Sequence, residues 1–293
     1  MKKLIKSIYN IIPFKKQLFD LLKLIWTPSE NIYKHLHFQG IINIEVEKKN
    51  CFKMMHRGFQ IENELYWEGI NGGIEKKSLE IWIQLSRMSN VIFDIGANTG
   101  VYALVSKSIN NKAKVHAFDP IPYVFNILEN NNRINNYDIN LNNFALSNYN
   151  GTASIYIEAD KDFSYSVTVN KNLNNLTTNV KTLEIETNTI SNYLNMNKIE
   201  KIDLLKIDVE THDVEVLEGY IEEIKIHKPS ILIEILNNEV AKGVQDIVKD
   251  MDYLYFNIND KENRVRQTFS IEKSDFFNYL ICSEKVARDL KLI

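Results

Sequence analysis

The stretch VIFDIGANTG, residues 91–100, decides how this chain is read. Val91, Ile92 and Phe93 form a short apolar run of strand type, which ends in an acid, Asp94. Gly96 and Gly100 then bracket Ala97, Asn98 and Thr99. Glycine lets a backbone turn sharply and come close to a ligand. Val101 to Ile109 has helical patterning, and a helix N-terminus directly after such a loop presents unpaired N–H groups. Strand, glycine loop and helix together make a ligand cradle. A dinucleotide loop is one reading of it, but the glycines are not spaced as G-x-G-x-x-G.

Downstream of this stretch, strands and helices alternate. KVHAFDP (114–120) is a second strand ending in Asp119 and Pro120, and Pro122 sits in the first turn of a helix to Arg133. Ile139 to Leu146 reads as a third strand. Residues 147–190 break the rhythm: TASIYIE (152–158), YSVTV (165–169) and VKTLEIETNTI (180–190) are β-rich and separated by polar turns. They read as an antiparallel insertion beside the ligand cleft. Alternation resumes with IDLLKIDVE (202–210), a helix from Asp213 to Ile226, PSILIEIL (229–236), a helix from Asn238 to Met251, and two last strands at 253–259 and 276–284. The pattern predicts an α/β, Rossmann-like fold: a mostly parallel seven-stranded sheet with helices on both faces, plus the insertion.

Upstream, Ile74, Leu79, Trp82, Ile83 and Leu85 share one face of a helix over 74–88. Two regions are expected, an N-terminal extension over 1–70 and the α/β domain over 71–293. The first 26 residues mix six lysines with many Leu, Ile and Phe residues. They contain no uncharged apolar run of the roughly 20 residues that span a bilayer, and no signal-peptide pattern. A basic amphipathic helix can lie on an anionic membrane or pack on the domain or on a second subunit. Peripheral membrane contact and homo-oligomerisation are both expectations for it.

Composition narrows the partners. A net charge of −3 and a pI of about 6.1 give no basic field for a polyanion, so nucleic acid is not expected. Cys51 and Cys282 have no CxxC partner, so neither a zinc site nor a disulfide framework is expected. A reducing cytoplasm, extending to the inner membrane surface, is the expected location.

A second cluster stands at the end of the fourth strand: Lys206, Asp208, Glu210, His212 and Asp213. So many charges are costly to bury without a purpose. Asp208, Glu210 and His212 alternate with Val209 and Thr211, and share one side if the chain stays extended. Asp213 can cap the next helix. Glu234 sits inside the apolar strand ILIEIL, where an acid needs a partner.

DIGANTGVYAL, HAFDP, NFALSNYNG and LLKIDVETHDVEVLEGY occur in this order, and together they resemble the FkbM family of methyltransferases. The resemblance runs from about Trp67 to Leu236. It implies an S-adenosylmethionine (SAM) site. The loop of Asp94, Gly96, Ala97, Asn98 and Gly100 would cradle the amino-acid part, and Asp119, beside Pro120, would take the ribose hydroxyls. Asn143, Phe144 and Ala145 would meet the adenine. The implied activity is O-methylation of a sugar, a glycan or a glycosylated metabolite. An alcohol is a poor nucleophile until a base removes its proton, and His212 has the intrinsic pKa for that task. Asp208 and Glu210 can orient His212, act as bases, or join Glu234 in holding a divalent cation such as Mg. One position departs from the family, which usually has glycine where this chain has Thr211. A catalytically silent SAM-fold assembly subunit and an NAD-dependent oxidoreductase are the alternatives.

Overall fold

The chain divides into two compact units, Met1–Gly73 and Ile74–Ile293. The computed structural model describes residues 13–73, 75–158 and 180–293. The expected strand at 165–169 and the first twelve residues lie outside them.

The N-terminal unit contains α1 (Lys15–Lys23), α2 (Glu30–Tyr33), the antiparallel hairpin β1 (Gly40–Glu47) and β2 (Asn50–His56), and α3 (Gln60–Glu68). Alternation builds the hairpin: Ile42, Ile44 and Val46 on one strand and Phe52, Met54 and His56 on the other are buried. His56 stacks on Phe38 with ring centroids 4.0 Å apart, and its nitrogens meet Phe38 O and Asn63 Oδ1. Burial pushes its pKa down to about 4, so it packs as a neutral ring. Glu62 closes the start of α3, one oxygen accepting from the backbone N–H groups of Arg57, Gly58 and Phe59.

The second unit begins with α4 (Lys76–Met88), which buries Leu79, Trp82, Ile83 and Leu85 as its periodicity predicts. Asp260 caps α4 from far along the chain, accepting from the N–H groups of Lys77 and Ser78 and from the Ser78 hydroxyl. There follow β3 (Val91–Ile95), α5 (Val101–Ile109), β4 (Lys114–Phe118), α6 (Pro122–Asn135) and β5 (Asn140–Asn142). A small sheet comes next, of β6 (Ala145–Leu146), β7 (Gly151–Glu158) and β8 (Val180–Asn188) in the order β6-β8-β7. The chain continues through α7 (Ile190–Asn197), β9 (Leu204–Ile207), α8 (Asp213–Glu218), α9 (Ile221–His227), β10 (Ser230–Glu234), α10 (Asn238–Val248), β11 (Tyr253–Asn259), β12 (Arg264–Thr268), β13 (Asn278–Ser283) and α11 (Glu284–Asp289).

The main sheet has the order β12-β11-β13-β10-β9-β3-β4-β5. β5, β4, β3, β9 and β10 run parallel, while β13 is antiparallel to both β10 and β11. This is the expected mostly parallel α/β sheet, with eight strands rather than seven. The eighth arises because β12 folds back on β11 as an edge hairpin. β3 shows why both faces are covered. Phe93 and Ile95 join the apolar core that includes Val216, Tyr220, Val240 and Val244, whereas Asp94 accepts from Ala103 N of α5 at 2.9 Å.

Two expected elements are split. The strand read from Ile139 to Leu146 breaks at Asn143–Phe144; its first half pairs with β4 and its second half leaves for the small sheet beside β8. The helix read from Asp213 to Ile226 breaks at Gly219, where a Cβ would lie 2.0 Å from the carbonyl oxygen of Ser147. Only glycine permits the two backbones to come that close.

Candidate functional site

Strand order reverses between β3 and β9, and open α/β sheets bind ligands beyond the carboxyl ends of strands at such a point. A cleft of about 290 Å³ lies there. Its walls include Gly96 and Asn98 after β3, Asp119 and Pro120 after β4, Phe144 and Ala145 after β5, Asp208, Glu210 and His212 after β9, and Glu234 at the end of β10. The topology thus gathers residues from five strand ends that are scattered over the sequence.

The loop after β3 is held by backbone. The N–H groups of Gly96 and Ala97 both donate to Phe118 O, at 3.0 and 2.9 Å. Gly96 has φ +79°, and a Cβ there would stand 1.9 Å from the carbonyl oxygen of Asp208. Asn98 also takes a left-handed φ of 51°. Its N–H donates to one oxygen of Asp119 at 3.0 Å, and Ile121 N–H donates to the other at 2.9 Å. Each Asp119 oxygen therefore keeps a lone pair, and burial pushes the carboxyl up to about 7. The side-chain oxygen of Asn98 is buried and has no protein partner.

Four residues expected to touch a ligand stand behind the cleft instead. Asp94 is buried under the loop, where burial pushes its carboxyl up to about 7 despite Lys206 nearby. Gly100, at φ +96°, starts α5 and packs against Leu128. Ala97 is buried, and Asn143 turns its amide to Asp119 O at 2.8 Å. These residues shape the loop and steady Asp119 rather than line the wall.

At the other end, β9 stops at Ile207. Glu210 and Thr211 then adopt φ of 52° and 77°, so the segment is a turn and not the extended run that alternation suggested. A β-branched residue rarely takes a positive φ, and Thr211 does so at the position where the family usually has glycine. Asp208 is held by Lys206, with Nζ 3.0 Å from Oδ2. Lys206 is only 1% exposed and lies 5.0 Å from the centre of the Tyr102 ring, whose hydroxyl donates to Glu75. Burial opposes its charge, but Asp208, Glu75 and Glu234 outweigh burial and raise its pKa.

His212 has two neighbours: Ser147 Oγ is 2.9 Å from Nε2, and Glu215 is 3.5 Å from Nδ1. Burial lowers its pKa against the opposing pull of Glu215 and Glu218, which favours the neutral ring. Burial, with Asp208 adding to it, pushes Glu210 up to about 7 and Glu234 up to about 9. The expected metal set of Asp208, Glu210 and Glu234 is not assembled. Among the described residues no three His, Cys, Asp or Glu side chains group to hold an ion, although all three acids line the cleft and Asp208 is turned to Lys206.

Sequence reasoning did not find Lys206 and Ser147 as the groups that hold Asp208 and His212. Ile121, Val124, Ile155 and Ile185 also line the cleft unforeseen, although the alternation within β7 and β8 carried a signal for the last two.

Fold and cleft define an α/β protein with a ligand site at its strand-order reversal. The family described as "Methyltransferase FkbM domain" matches residues 94–265, and the chain belongs to it. That sets aside the dinucleotide oxidoreductase. None of the curated proteins matches the chain in sequence. Similar solved structures include Methyltransferase FkbM of Methylobacillus flagellatus KT, 14% identical, covering 66% of this chain and 43% of that chain at a TM-score of 0.41. The O-methyltransferase of Bacillus cereus in complex with SAH is 10% identical, with 70% and 78% covered and a TM-score of 0.38. The SAM-dependent O-methyltransferase of Thermotoga maritima is 10% identical, with 71% and 65% covered and a TM-score of 0.38. The chain thus spans less than half the length of the Methylobacillus protein. No helix among the described residues is long and apolar enough to cross a membrane.

Proposed function

We propose that this chain is a SAM-dependent O-methyltransferase whose acceptor is a hydroxyl on a sugar, a glycan or a glycosylated metabolite. The observation that supports it most is Asp119. Its carboxylate is fixed at the cleft wall by two backbone N–H groups and retains a lone pair on each oxygen, suited to a vicinal diol. The unpartnered oxygen of Asn98, next to it, suits an ammonium or hydroxyl donor. Phe144 on the same wall offers a face for a planar ring.

SAM supplies an electrophilic methyl group on a sulfonium when bound. The chain's residues orient the acceptor and manage its proton. On this reading Asp208 and Glu210 accept hydrogen bonds from acceptor hydroxyls. His212 would take the proton of the attacking hydroxyl, the methyl group being the one that bound SAM would supply. Ser147 positions the imidazole for that step, and Glu215, 3.5 Å from Nδ1, faces the ring once it is protonated. None of the described residues lining the cleft is Lys or Arg, which favours a neutral polyol over a phosphorylated acceptor.

Two measurements test the proposal in the intact chain. Isothermal titration with SAM should show saturable binding, and its absence would reject the reading. Mass spectrometry of free sugars and glycosides incubated with SAM should find one added methyl group. Binding with no methylated hydroxyl on any of these acceptors would point to the silent assembly subunit.

A further inference from the structure

The N-terminal unit leaves one apolar surface uncovered. On α1 and the turn that continues it, Phe14, Leu18, Leu21 and Ile25 follow the i, i+4, i+7, i+11 spacing that forms a single stripe. They are 74%, 45%, 65% and 84% exposed. Leu24 and Trp26 widen the patch. The helix is anchored by another side, where Phe19 packs on Phe38 and Trp67, and Lys23 turns its ammonium to Tyr66 O. The outward stripe is therefore largely left out of that packing.

Charge indicates what covers it. Lys15 and Lys16 flank the stripe, and the preceding sequence adds Lys2, Lys3 and Lys6 with no acid. Asp20 is the single acid in the first 26 residues, although the whole chain is net negative at −3. Positive charge is concentrated in the same stretch of sequence as the exposed apolar residues, with Lys16 also paired to Asp20 at 2.7 Å. An anionic lipid surface offers acyl chains to the stripe and headgroups to the lysines, whereas like-with-like pairing of two such helices brings cation against cation. We infer that α1 is a peripheral membrane anchor: the Phe14–Leu18–Leu21–Ile25 stripe, with Trp26 at its end, inserts into the headgroup–acyl boundary of an anionic bilayer.

The full chain provides the test. It should co-float with phosphatidylcholine vesicles that contain phosphatidylserine and should not with phosphatidylcholine alone. High salt should lower the partition coefficient about 10-fold or more, because screening removes the attraction of several lysines. Trp67 and Trp82 are buried, so a blue shift of tryptophan emission on vesicles reports Trp26. The Leu21→Glu/Ile25→Glu variant changes only exposed positions and should keep its circular dichroism and Tm while losing vesicle binding about 10-fold or more. Failure to float at low salt overturns the inference, and so does equal flotation of wild type and variant. Light scattering covers the remaining case: a dimer that the variant abolishes, without vesicle binding, would assign the stripe to a second copy.

Discussion

The two ends of the cleft are built by different means. At the Asp119 end the acids are held by backbone: Asp94 accepts from Ala103 N, and Asp119 from Asn98 N and Ile121 N. At the Asp208 end side chains hold side chains: Asp208 by Lys206, and His212 by Ser147. A backbone donor does not depend on which side chain its residue carries, whereas a side-chain partner is lost with its residue. Such a division suits an enzyme with one fixed cofactor and a changeable acceptor. It also implies that mutations at the two ends should fail in different ways.

The largest effect is expected at the Asp208 end. His212→Ala should lower single-turnover methyl transfer by about 10²–10⁴-fold and leave SAM affinity nearly unchanged. Wild-type rates in both His212→Ala and Asp208→Ala would move the catalytic centre elsewhere, with Glu234 the next residue to change. Lys206→Met should come next, costing about 3 kcal/mol in denaturant unfolding because it strips buried acids of their counter-charge. Adding Asp208→Asn should recover part of that loss, and strict additivity of the two would argue against the pairing. At the Asp119 end, Asp119→Ala should weaken SAM binding by about 1.5–3 kcal/mol without unfolding the protein. Unchanged affinity, read by titration calorimetry, would break the comparison.

A pH series sharpens it. Burial pushes the carboxyls of Glu75, Asp94, Asp119 and Asp213 up to about 7. Their unfolded values lie near about 4. Between about pH 4 and 7 the native state therefore binds more protons than the unfolded state, and the ligand-free protein should lose stability as pH rises through that window. Asp94→Asn should flatten the fall in Tm. A Tm that climbs from pH 5 towards neutrality would contradict the assignment. The smallest effect is at Thr211. Its positive φ costs about 1–2 kcal/mol, partly offset by the entropy that glycine loses on folding, so Thr211→Gly should stabilise by about 0.5–1 kcal/mol. A destabilised variant would show that the threonine side chain makes contacts that outweigh its strain.

The same division explains what was legible beforehand. VIFDIGANTG gives strand, loop and helix because glycine geometry and apolar periodicity are local, and Asp119 is visible as an acid at a strand end. The break at Asn143–Phe144 is not visible, since it depends on β8 offering a partner to Ala145 and Leu146. The turn at Glu210–Thr211 takes positive φ at two non-glycine residues, against local preference. The hydrogen bond between Ser147 and His212 joins residues 65 positions apart, and the Asp260 cap on α4 reaches across more than 180. No spacing rule encodes such pairs. The acids named for a metal line one cleft without grouping as an ion site, and the Lys206 that Asp208 faces was not read as its partner.

The strand order also has a consequence for the chain while it is being made. β3 pairs with β4 at once, but its other neighbour is β9, and Asn90 N–H reaches Asp203 across 113 positions. At about 5–20 residues per second, those residues take roughly 6–23 s to emerge. For that interval VIFDI presents an unpaired, apolar strand edge to whatever else the ribosome has nearby. Expression yield should therefore respond more to synthesis rate and chaperone supply than to the stability of the finished fold.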